Sequence, residues 1–80
     1  METVTEALGL LRRQEELEMA MKQPGGIRIT EEQELLVLRR RLTSYPQAMQ
    51  AVLQAAHGLR RPITEVTAED VESWARTNPA

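Results

Sequence analysis

The residues best equipped for chemistry are arginines: Arg12-Arg13, Arg39-Arg40-Arg41 and Arg60-Arg61. Guanidinium groups bind phosphate oxygens and carboxylates through paired N–H donors, so such runs are candidate contacts for nucleic acid or for an acidic protein partner. A plainer role competes with both. Arg39, Arg40, Arg41, Arg60 and Arg61 fall where helices are expected to end, and cations there complement the helix dipole and the last carbonyls. Successive helical residues also point about 100° apart, so an arginine triplet does not form one patch.

The acidic residues cluster as Glu15, Glu16, Glu18, as Glu31, Glu32, Glu34 and as Glu65, Glu69, Asp70, Glu72. Carboxylate clusters can hold a divalent cation, but none of these has the loop glycine and ligand spacing of a calcium hand. The second run fits a helix's first turn, where negative charge is favoured. His57 is the only histidine, cysteine is absent, and Ser44 and Ser73 are the only serines. No nucleophile stands beside a base in a recognisable arrangement. Neither a catalytic residue, nor a metal site, nor a cofactor is expected, and the chain reads as a non-enzyme.

With 80 residues the chain suits a single domain, 1–80, near the lower size at which one core sustains a fold. Apolar residues make up 41% and charged residues 28%, a composition that folds. Tyr45 and Trp74 are the only aromatics, so Leu, Val, Ile, Met and Ala must build the core, as in a helix bundle. The net charge of −2 argues against bulk electrostatic attraction to nucleic acid. No apolar stretch is long enough to span a bilayer, and no leader pattern opens the chain; a cytoplasmic setting is expected.

Four capping-box patterns, Thr3/Glu6, Thr30/Gln33, Ser44/Gln47 and Thr67/Asp70, predict four helices, approximately 4–22, 31–42, 46–57 and 68–76. In the first, Ala7, Leu10, Gln14, Leu17 and Met21 recur at steps of three and four, with Leu8 and Leu11 beside them. Gly9 inside it is expected to admit a neighbouring helix closely, and Gln14 either fixes a helical register or lies at an edge. Pro24-Gly25-Gly26 ends this helix and reverses the chain. Ile27 and Ile29 are expected to fold under the turn.

In the second helix Leu35, Leu38 and Leu42 form the inward face, with Leu36 and Val37 alongside. The four consecutive apolar residues Leu35 to Leu38 demand cover on two sides. The third helix opens at Ser44 and Pro46, and Tyr45, Met49, Val52, Leu53 and Ala56 form its stripe. Gly58 is its expected C′ residue, with His57 serving the helix end and Leu59 folding back. Val66 and Val71 form a hydrophobic staple around Thr67, and Trp74 is either core or an exposed anchor. Met19, Met21 and Met49 either fill gaps or offer an adaptable binding surface.

The stretch Arg61-Pro62-Ile63-Thr64-Glu65-Val66-Thr67-Ala68-Glu69-Asp70-Val71 resembles, in local structure, the end of the helical core-binding domain of tyrosine recombinases. The shared features are an extended proline-containing link and a short helix with a Thr-x-Glu-Asp-type cap; the likeness is one of capping chemistry and assigns no family.

The expected fold is all-α: a small bundle of about four helices whose long N-terminal helix forms an antiparallel hairpin with the second. The expected role is protein–protein interaction through apolar helix faces, as a small regulator, adaptor, inhibitor or chaperone-like protein. Leu35, Leu36, Val37, Met49 and Trp74 are the expected contacts, and a homodimer is the expected assembly. The alternative is a small DNA-binding regulator of transcriptional or phage/plasmid type, using Arg39, Arg40, Arg41, Arg60 and Arg61. No membrane partner is expected.

Overall fold

The computed structural model describes residues 4–78, which form an all-α bundle: α1 (Val4–Met21), α2 (Ile29–Leu42), α3 (Pro46–Leu59) and α4 (Ala68–Thr77). A 3₁₀ turn, Ile63–Glu65, links α3 to α4. No strand is present among the described residues. The Thr3/Glu6 cap involves Thr3, which lies outside them.

α1 is the spine, touching every other element. Leu8 and Leu11 from its first half join Leu42, Val52, Ala55, Ala56, Val66 and Val71 in the main core. Leu17 from its second half forms a smaller core with Leu35 and Leu38 of α2, and half-buried Leu10 packs against both. Each fully buried Leu or Val contributes about 1.5–3 kcal/mol by leaving water. Because the second core holds only three buried side chains, α2 depends on α1 far more than on the rest of the bundle. Met21, expected on the inward stripe, lies exposed just beyond that core.

The chain turns between α1 and α2 at Pro24-Gly25-Gly26, where φ is 131° at Gly25 and 62° at Gly26, values open to glycine and costly for other residues. Arg13 then clamps the antiparallel hairpin. Its Nε and Nη2 donate to the two carboxylate oxygens of Glu34 at 2.7 and 3.0 Å.

Three helix ends depart from the spacing-based expectation. α2 begins two residues early: Ile29 and Thr30 lie inside it, and the cap is Arg28, whose carbonyl accepts from the amides of Glu31 and Glu32 while Glu31 accepts from the Arg28 amide at 3.1 Å. The Thr30/Gln33 box therefore does not form the cap, and Ile29 is 72% exposed instead of folding under the turn. α3 is capped at Tyr45, with Pro46 in the first position, so Ser44 belongs to the preceding turn, its amide bonded to the Arg41 carbonyl. At the other end of α3, Gly58 is still helical. The left-handed residue is Arg60 (φ 56°), and the Arg60 and Arg61 amides close a Schellman pattern onto His57 and Ala56.

Thr67 caps α4 as expected: its hydroxyl accepts from the Asp70 amide at 3.1 Å, and the Asp70 carboxylate accepts from the Thr67 amide at 3.1 Å. The staple residues Val66 and Val71 are both buried in the main core. The close approach expected at Gly9 is absent, since no atom lies within 4 Å of where its Cβ would stand; the approach occurs at Gly58, against Trp74.

Candidate functional site

On a helical wheel, Leu35, Leu38 and Leu42 cluster on one side of α2 while Ile29, Leu36 and Val37 occupy the other, with Gln33 and Arg40 between them. The first three are 3%, 7% and 4% exposed. Ile29, Leu36 and Val37 are 72%, 65% and 55% exposed. α2 is thus apolar on two opposite sides, and among the described residues only one of them is covered.

At the edge of this face the end of α1 approaches α2, leaving a shallow cleft of about 310 Å³ lined by Met21, Glu32, Leu35, Leu36 and Arg39. Its floor is hydrocarbon, and Glu32 and Arg39 supply one charge of each sign at the rim. Leu35 enters the cleft only by its edge, since it is buried against Leu17 and Leu38. Met49 and Trp74 sit half-buried against the main core, away from this surface. Ile29 was missed as a member of the face, although the seven-residue spacing of Ile29 and Leu36 puts them two turns apart on one stripe, while Met21, open from sequence to either gap-filling or an adaptable surface, lies exposed beside the cleft.

Of the seven arginines in the three runs, Arg12, Arg13, Arg39 and Arg61 are engaged within the fold. Arg12 donates through Nη2 to the Val66 carbonyl, tying α1 to the segment before α4, and its buried Nε has no hydrogen-bond partner. Arg13 holds Glu34 and, at 3.2 Å, Glu16; these hydrogen bonds, that to Glu34 foremost, raise the Arg13 pKa and lower that of Glu34. Arg39 reaches Glu18 at 3.5 Å and Arg61 reaches Asp70 at 3.2 Å. Arg40, Arg41 and Arg60 make no ion pair among the described residues and are exposed. The arginine runs consequently do not converge: Arg12, Arg13, Arg39 and Arg61 each point to a different partner.

The acidic runs do not build a metal site either, because no group of three potential ligands comes together among the described residues. Gln14 donates to Glu18 at 2.9 Å and stays half-exposed on α1. His57 is exposed on the last turn of α3, where its backbone carbonyl accepts from the Arg60 amide. No described helix is long and apolar enough to cross a membrane. Searches for relatives gave no match to any family model, any curated protein or any solved structure.

Proposed function

We propose that this protein is a non-enzymatic interaction module, a small regulator or adaptor of the cytoplasm whose working surface is the outer face of α2. The observation that carries this reading is the exposure of Ile29, Leu36 and Val37 on a helix already fully employed on its opposite side. Contiguous exposed hydrocarbon on a small domain is costly to solvate and is retained where another polypeptide covers it. Helix-in-groove recognition uses anchors at such spacings, and the adjoining cleft with Met21 offers an adaptable pocket for a partner's side chain.

The DNA-binding alternative draws less support, because Arg13, Arg39 and Arg61 have carboxylate partners within the fold and the net charge is negative. Affinity capture from the native host tests the proposal. The wild-type chain should retain a protein that Leu36→Glu and Val37→Glu chains lose while keeping their helical signature. Identical capture by all three chains would overturn it.

A further inference from the structure

α2 carries its charge in two blocks: Glu31, Glu32 and Glu34 in its first half and Arg39, Arg40 and Arg41 in its last turn. Glu34 is held by Arg13 and Arg39 by Glu18 within the chain, but Glu32 and Arg40 flank the outer face, and they are complementary when two copies run antiparallel. We propose that the outer face of α2 takes a second copy of this chain, α2 against α2 in antiparallel register across a two-fold axis at Leu36. The inference rests on the reading of that face as an interaction surface and names its occupant.

Three observations converge on this register. Leu36 lies near the midpoint of the 14-residue helix, so a two-fold axis there stacks Leu36 on its own symmetry mate with Val37 beside it, and leaves the Ile29 side chains of the two copies at opposite ends of the seam. Glu32 and Arg40 stand four residues before and after Leu36, so each meets the other across the axis at the same height. Within one chain, neither Glu32 nor Arg40 makes an ion pair among the described residues. Antiparallel pairing also sets the two helix dipoles head to tail.

The result is a four-helix arrangement in the order α1, α2, partner α2, partner α1, and it covers the side of α2 on which Ile29, Leu36 and Val37 stand exposed. A seam between two 14-residue helices is about 21 Å long, smaller than the contact of a permanent dimer. The dimer is therefore weak and exchanging, and another protein could displace one copy from the same face.

Charge exchange between copies tests this arrangement by analytical ultracentrifugation. Glu32→Arg alone and Arg40→Glu alone each place like charges at both symmetric contacts and should weaken self-association roughly tenfold. Mixing the two variants restores opposite charges at both contacts and should recover dimers that neither forms alone, as should the double variant. If the singles weaken the dimer and the mixture does not recover it, or if the singles leave it unchanged, the antiparallel register is wrong. If the wild-type chain stays monomeric at millimolar concentration, the second copy is not the occupant. The broader reading then stands or falls separately on the capture experiment with Leu36→Glu.

Discussion

The indole of Trp74 on α4 lies across Gly58 on α3, so close that a Cβ at position 58 would overlap ring atoms Cζ2 and Cη2 and stand 2.8 Å from Cζ3. This contact seats the last helix on the main core. It also gives a physical reason for a glycine inside α3, where that residue otherwise weakens a helix.

Gly58→Ala is expected to destabilise the fold. Displacing the ring costs about 1–3 kcal/mol of overpacking, against a gain of up to about 1 kcal/mol in helix propensity. Thermal unfolding followed by circular dichroism should show a lower midpoint, and Trp74 fluorescence should report a more solvated indole.

The same substitution at Gly9 has the opposite sign. Nothing stands within 4 Å of a Cβ there, so Gly9→Ala gains helix propensity without a clash, about 1 kcal/mol. For a domain of this size the melting temperature should rise by about 4–8 °C.

These two glycines mark the limit of what the sequence discloses. Four helices were legible because apolar residues recur at helical spacing, and the Thr67 box was legible because its donors and acceptors are neighbours in the chain. The exposed pair Leu36 and Val37 was legible too, since four consecutive apolar residues cannot all face one side of a helix. Which glycine meets a neighbour was not, because that depends on what lies opposite, and periodicity along one helix carries no such information. The start of α2 was misplaced for a related reason. A carboxylate at the third position caps any backbone N–H, so Glu31 serves Arg28 without a hydroxyl residue marking the site. Spacing alone leaves Trp74 and Met49 open to either an anchor or a core reading, and the packing places both half-buried against the main core.

Arg60 ends α3 in the left-handed region, a conformation that costs a residue with a Cβ about 1 kcal/mol or more. Arg60→Gly should therefore stabilise the protein by about 1 kcal/mol in urea denaturation. If Arg60 acts only at this helix end, self-association of the variant should match that of the wild type.

The Asp70 carboxyl is held below its ordinary value of 3.8, first by the Thr67 amide and then by the Thr67 side chain and Arg61. A depressed folded-state value means that the unfolded chain binds the proton more readily. The resulting stabilisation is fully present above the ordinary pKa and is lost as pH falls through the folded value. Carboxyl carbon shifts should show Asp70 titrating below an ordinary aspartate. Thr67→Ala should raise that titration toward the ordinary value and cost about 1 kcal/mol through loss of the cap.

The most direct test of the central claim, that the outer face of α2 is covered by a second copy, is a dilution series followed by methyl resonances. From micromolar to millimolar protein, the methyl signals of Ile29, Leu36 and Val37 should shift together along one binding curve while those of Leu17, Val52 and Val66 hold still. If the three outer residues keep constant positions across that range, the claim is contradicted.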